Sequence, residues 1–236
     1  MIYETSWTDV ERKNNRMLRE SKGNMYSWVT HTFNTIKGEC PHGCTYCYMK
    51  RWGKQKPIRF DEKELNTDLG VNNIIFVGSS CDIFANDIPN EWIERTLEHC
   101  YKSCHRNGFL LQTKNPERML RFRNEFWDFI RVCTTIETNR VYPEIMKHCP
   151  DPWRRVNFFK QFKFNRYVTI EPIMDFDIDE MIEMIKRCNP VQVNIGADSG
   201  NNHLPEPSKE KILELIDELK KFTVIDQKRN LKRLLC

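Results

Sequence analysis

The sequence predicts an α/β protein built on one parallel sheet, open or curled into a partial barrel. Three observations carry this. Six short apolar runs rich in Val, Ile, Phe and Thr recur along the chain, each of strand length rather than helix length. Amphipathic stretches separate them, and strands alternating with helices are the mark of a parallel sheet with helical crossovers. No internal repeat, low-complexity tract or long Pro/Gly/Ser linker breaks the pattern. One domain over 1–236 is therefore expected, with a core of about 28–222, a short N-terminal extension and a basic C-terminal tail.

The expected strands are Trp28–Asn34, Asn73–Gly78, Phe109–Lys114, Arg131–Glu137, Tyr167–Glu171 and Val191–Gly196. Helices fall between them. Pro89–Asn107 carries Ile93, Leu97, Cys100 and Cys104 at helical spacing. Asn115-Pro116 joins a capping side chain to a proline at the first helical position, opening a helix expected to run through Ile130. Ile178–Arg187 gathers Ile178, Met181, Ile182 and Ile185 on one face, and Ser208–Phe222 gathers Ile212, Leu215, Ile216 and Leu219. Between Tyr142 and Phe164 the pattern is broken by Pro150 and Pro152.

One parity of the strand residues is polar near the C-terminal ends: Gln112 and Lys114, Thr135 and Glu137, Thr169 and Glu171, Gln192 and Asn194. The intervening Leu111, Ile136, Ile170, Val193 and Ile195 are apolar. Side chains alternate across a strand, so four strands turn a polar face one way and an apolar face the other. Parallel strands covered on both faces usually read as continuous apolar runs. A polar face at the C-terminal ends is what a barrel mouth holding a polar ligand would show. A solvent-exposed sheet face is the plain alternative.

Composition narrows the function classes. Hydrophobic residues make up 39% and charged residues 30%, which excludes a disordered chain and a membrane protein. No apolar run approaches the roughly 18 residues of a spanning helix. The stretch Met1 to Asn24 is polar and charged, unlike a signal peptide. A cytoplasmic setting is expected, where the ten cysteines stay reduced and bind metals or pack in cores. The net charge of +4 permits an anionic partner without demanding one.

The most specific signal is Gly38-Glu39-Cys40-Pro41-His42-Gly43-Cys44-Thr45-Tyr46-Cys47-Tyr48. Cys40, Cys44 and Cys47 stand at C-x3-C-x2-C spacing just after the first strand. Such a loop can wrap three thiolates around one corner of a metal cluster, and a [4Fe–4S] cluster held by three cysteines keeps one iron open. Structural zinc on the three cysteines plus His42 or a distant residue is an alternative. So are a redox pair of Cys44 and Cys47 and buried cysteines without a ligand.

With Tyr46 in the aromatic position, the motif resembles the signature of the radical S-adenosylmethionine (SAM) superfamily, and the likeness extends over roughly Trp28 to Phe222. It implies a partial (β/α)6 barrel. Cys40, Cys44 and Cys47 would bind three irons of a [4Fe–4S] cluster, and the fourth iron would chelate SAM. Tyr46 would lie near the cluster and adenine. The family grips the SAM amino group with a segment after the second strand, often Gly-Gly-Glu. This chain has Gly78-Ser79-Ser80-Cys81-Asp82 there, so Asp82 or the hydroxyls of Ser79 and Ser80 would substitute. Lys114, Thr135, Glu137 and Glu171 match the middle-strand ends that contact ribose and carboxylate. Gly196-Ala197-Asp198-Ser199-Gly200 matches the segment along the adenine, with Gly196 at its start. Three stretches, Phe76–Phe84, Leu111–Met119 and Thr169–Ile173, resemble small, often phage-associated radical SAM proteins. That subgroup is in turn distantly similar to spore photoproduct lyase, a DNA-repair enzyme.

The resemblance implies that one electron, from a reducing partner such as flavodoxin or ferredoxin, cleaves SAM to a 5′-deoxyadenosyl radical, which abstracts hydrogen from a substrate. Cys81 follows the second strand directly and is the candidate to quench a substrate radical; a small buried cysteine is the plain alternative. For the substrate, Lys50, Arg51, Lys54, Lys56 and Arg59 surround Trp52 without an acidic residue, a composition suited to a phosphate backbone and a stacked base. Lys228, Arg229, Lys232 and Arg233 form a second basic cluster. A nucleic acid or nucleotide is the first expectation. A peptide or small-metabolite substrate, and a non-enzymatic zinc or iron–sulfur module, are the alternatives.

Overall fold

A computed structural model describes residues 16–236. Most of the expected N-terminal extension, residues 1–15, lies outside them. The main sheet has eight strands: β1 Arg19–Glu20, β2 His31–Phe33, β3 Ile74–Val77, β4 Gly108–Thr113, β5 Ile130–Thr135, β6 Asn165–Ile170, β7 Gln192–Ile195 and β8 Val224–Gln227. They lie side by side in chain order. β1 pairs antiparallel with β2, and every later pairing is parallel. The helices are α1 Asn90–Tyr101, α2 Pro116–Arg121, α3 Pro143–Met146, α4 Pro152–Phe159, α5 Ile178–Cys188, α6 Lys209–Lys220 and α7 Lys232–Leu235. β1 and β8 do not pair with each other, yet residues from beside β1 through to the end of β8 line one cavity. The sheet is therefore a curled, unclosed barrel, the α/β architecture expected.

Strand parity sorts the side chains as anticipated. Ile75, Val77, Phe109, Leu111, Val132, Val168, Ile170, Val193 and Ile195 join the main core beneath the helices, against Ile93, Leu97, Met181, Ile185, Ile212 and Leu215. The opposite parity faces inward. Phe76, Leu110 and Cys133 form a separate small core with Tyr26 and Val29, and Trp28 and Tyr167 pack on it. Nearer the C-terminal ends the inward residues become Gln112, Thr135 and Thr169, which line the cavity.

Local differences have physical causes. The expected strand from Trp28 shortens to His31–Phe33. Tyr26 and Trp28 stack at 5.5 Å between ring centroids and plug the lower barrel. The helix opened by Asn115 ends at Arg121 instead of Ile130. Asn115 does cap it, accepting from the Arg118 N–H. Beyond it Phe122 meets Phe84, Phe126 meets Phe162 and Phe164, and Trp127 meets Phe109, directions no single helix face serves. The segment assigned to a tail after Phe222 instead forms β8, registered against β7 from Val224 opposite Gln192 to Gln227 opposite Ile195.

Candidate active site

The cysteine loop rises from the C-terminal end of the barrel. Short strands Ile36–Lys37 and Arg59–Phe60 pair antiparallel and fix its two feet. Gly38 sits at φ +113°, and a Cβ there would lie 2.6 Å from the Pro57 carbonyl oxygen, so only glycine fits. Gly43, at φ +65°, turns back so that its N–H donates to the Cys40 carbonyl at 3.0 Å. The Cys47 N–H donates to the Cys44 carbonyl at 3.3 Å, and a 3-10 turn over Tyr48–Trp52 follows.

Cys40, Cys44 and Cys47 all line a cavity of about 920 Å³, together with Tyr46, Gly78, Ser79, Ser80, Cys81, Asp82, Lys114, Thr135 and Glu171. Two expected contacts do not line it. Glu137 is fully buried beneath it, accepting from Tyr46 Oη and from Arg155 Nη1 at 2.6 Å. Lys114 Nζ lies 3.8 Å from the same carboxylate. Burial acts to raise the Glu137 pKa, but Arg155 and Lys114 overcome it and hold the carboxyl below its usual range. Gly196 lies behind Glu171, and a Cβ there would meet Glu171 Oε1 at 2.8 Å and Asn230 Oδ1 at 2.9 Å. It makes room for the Glu171 side chain.

Asp82 is on the cavity wall, but its carboxylate is already engaged. Oδ2 meets His42 Nε2 at 2.8 Å and accepts from Thr113 Oγ1 at 2.9 Å and the Lys114 N–H at 2.8 Å. Oδ1 accepts from the Phe84 N–H at 3.0 Å. Asp82 thus ties the cysteine loop to the ends of β3 and β4. Burial acts to raise its pKa, and His42 and the N–H donors hold it low. The Ser80 N–H donates to Asn34 Oδ1 at 2.9 Å, Ser80 Oγ donates to the same atom at 3.0 Å, and Asn34 Nδ2 donates to Ser79 Oγ at 3.1 Å.

Asn24, Asn230 and Tyr26 escaped the sequence reading, and Lys228, read only as part of a basic cluster, has a specific partner at the site. Glu171 Oε1 accepts from Asn24 Nδ2 at 2.6 Å and Asn230 Nδ2 at 2.9 Å, and Lys228 pairs with Oε2. Lys228 also lies 4.7 Å from the Tyr26 ring centroid, and Tyr26 Oη donates to Gln112 Oε1 at 2.7 Å. Lys228 follows β8 as Lys114 follows β4; recognising β8 as a strand was the one available signal. Of the C-terminal basic cluster, Lys228 is thus neutralised by Glu171, and Arg233 pairs with Glu206.

All ten cysteines are free thiols. Cys44 Sγ lies 3.2 Å from Cys149 Sγ. That hydrogen bond, against the opposing effect of burial and with help from Lys114, lowers the Cys44 pKa to about 5. A hydrogen bond from Cys81 lowers the Cys40 pKa to about 7 against burial, and burial pushes Cys47 up. Three thiols on one cavity wall, two of them readily deprotonated, suit a thiolate-ligated cluster. Among the described residues, no three His, Cys, Asp or Glu side chains converge on a point that a single ion would occupy. His42, one candidate for a fourth ligand under the zinc alternative, is turned to Asp82. No helix among the described residues is long and apolar enough to cross a membrane.

The fold is similar to the radical SAM fold of spore photoproduct lyase. A cysteine-to-serine mutant of that enzyme matches with a TM-score of 0.60 at 10% identity, over 95% of this chain and 86% of that one. A tyrosine-to-phenylalanine mutant gives 0.61 at 10% identity, over 95% and 87%. A double mutant with bound AdoMet and dinucleoside spore photoproduct gives 0.52 at 10% identity, over 94% and 72%. No curated protein matches the sequence. A family model described as "Protein of unknown function (DUF5131)" matches residues 24–206, and the chain belongs to that family.

Proposed function

We propose that this protein is a radical SAM enzyme acting on a nucleic acid or nucleotide. The observation that carries the chemistry is the meeting, in one cavity, of the Cys40, Cys44 and Cys47 thiols with the inward polar row Gln112, Lys114, Thr135, Thr169 and Glu171. The similarity in fold to a lyase solved with AdoMet supports it. A reduced [4Fe–4S] cluster with SAM would supply a 5′-deoxyadenosyl radical, with the electron from a partner such as flavodoxin or ferredoxin.

The chain's own residues bind, orient and shield. Cys40, Cys44 and Cys47 would ligate three irons. Lys114 would face a SAM carboxylate and the Thr135 hydroxyl its polar end, while Asn34 holds the Ser79 and Ser80 hydroxyls and the Ser80 N–H and so shapes the wall beside them. Glu171 is a charged acceptor for an amino or ribose hydroxyl group, oriented by Asn24, Asn230 and Lys228. Glu137 and Asp82 act from behind, fixing Tyr46 and His42. Tyr26 and the aromatic plug keep water out below. Cys81, on the cavity wall, would give a hydrogen atom to a substrate radical, and the thiyl left behind would take back an electron from the reducing partner and a proton.

The nucleic-acid reading rests on the rim. Lys50, Arg51, Trp52 and Lys54 border the cavity, and Trp52 is 64% exposed. The Arg51 guanidinium lies 5.6 Å from the Tyr48 ring centroid and 5.1 Å from that of Trp52. Cations interleaved with exposed rings form a surface for phosphates and stacked bases. A target base would leave its stack to enter the cavity.

The test is anaerobic reconstitution with iron and sulfide, then reduction with SAM. About four irons per chain and release of 5′-deoxyadenosine are expected, both lost in Cys44→Ala. Zinc loading without SAM cleavage would overturn the enzyme reading. SAM cleavage without salt-dependent binding of single-stranded DNA or RNA would move the substrate to a peptide or small metabolite.

A further inference from the structure

Cys149 lies 105 residues beyond Cys44, and their sulfurs are 3.2 Å apart. The approach is built into the backbone. The Thr45 N–H donates to the Ile145 carbonyl at 3.0 Å, and the His148 N–H donates to the His42 carbonyl at 3.1 Å. These two bonds splint α3 and the segment after it to the cysteine loop. On the far side, buried Arg155 holds the Pro150 carbonyl through Nε at 2.7 Å. Cys44, Tyr46, Met146, Met174 and Leu204 form a small apolar cluster on which Cys149 packs. Cys44 is buried and Cys149 half-buried, and a hydrogen bond withdrawn from bulk water is electrostatically stronger than one in it.

We propose that Cys149 is a positioning residue for the metal centre, remaining a thiol and donating an S–H···S hydrogen bond to the Cys44 thiolate. This rests on the radical SAM reading above. A cysteine that ligates iron has lost its proton, so only Cys149 of the two can donate. Partners behind the ligands orient them and tune the metal, and hydrogen bonds to the sulfurs help set an iron–sulfur reduction potential. A donor at Cys44 offsets negative charge. It therefore favours the reduced state, which carries one more electron.

The test uses the full chain, reconstituted anaerobically with ferrous iron and sulfide, as wild type, Cys149→Ala and Cys149→Ser. Iron content, thermal midpoint and an EPR-monitored redox titration are read on each. All three should hold the same iron. The midpoint potential of Cys149→Ala should fall, with the reduction equilibrium weakened up to about tenfold, or about 59 mV for one electron. Cys149→Ser keeps an X–H donor and should recover most of the shift. Equal midpoints on intact clusters overturn the role of Cys149 alone and leave the radical SAM reading standing. Loss of the cluster in both variants overturns it as well, making Cys149 a ligand. A wild-type protein that takes up no four-iron cluster overturns both readings.

Discussion

Arg155 Nη1 donates to Glu137 Oε2 at 2.6 Å, and neither side chain is exposed to solvent. The pair stands directly under the cavity, where Glu137 also receives the Tyr46 hydroxyl. Removing one member leaves a buried charge stripped of its main partner, which costs about 3–5 kcal/mol, whereas an apolar replacement of both is often close to neutral. Arg155→Met should therefore lower denaturant stability sharply, and Arg155→Met with Glu137→Met should recover most of the loss. Equal destabilisation by the single and double variants would place the cost in the lost Arg155 contacts to the Pro150 and Thr135 carbonyls and not in an unpaired Glu137.

The pH dependence follows from the same carboxylate. Glu137 is held below its usual pKa, despite burial, by Arg155 and Lys114. Its contribution is fully present above the unfolded value of about 4.3 and is lost as pH falls through the lower folded value. Thermal midpoints of the cluster-free protein should show an acid limb below about pH 4. The limb should be shallower in Glu137→Gln than in the wild type. Parallel limbs would assign the acid loss to other carboxylates.

Gly38→Ala tests the cysteine loop without touching a sulfur. Its Cβ would collide with the carbonyl oxygens of Lys56 at 2.7 Å and Pro57 at 2.6 Å, and backbone cannot swing aside as a side chain can. The loop should open, and iron uptake on reconstitution should drop several-fold while far-UV circular dichroism is unchanged. Full iron content in the variant would mean the loop tolerates another path.

Lys50, Arg51 and Lys54 form the rim without a carboxylate partner among the described residues; Lys50 and Arg51 reach only backbone carbonyls. Neutralising all three should weaken single-stranded DNA binding and reduce its log–log salt slope by about 2, at roughly 0.7 per phosphate contact. An unchanged slope would remove the rim from the interface.

The sheet and the inward polar row were legible because parity is a strictly local property: Gln112, Thr135 and Thr169 reveal their common face within a few residues each. Strand β8 was not, since Val224–Gln227 offers four residues with two of them polar and owes its place to β7. Glu137 was read as a cofactor contact because it stands in the polar row. Its burial depends on Arg155, 18 residues away in a helix. Cys149 carries no spacing signal at all; splinting to His42 and Thr45 is long-range information. Trp28 reads as the start of a strand by composition, and only the hollow that it fills with Tyr26 makes the pair a plug.

That plug makes the cavity a blind well. Tyr26, Val29, Phe76, Leu110 and Cys133 are all less than a tenth exposed and seal the floor, so nothing reaches the thiols from beneath. A molecule seated on that floor has no exit beneath it, so its exchange runs through the upper part of the cavity, where the thiols and the basic rim stand.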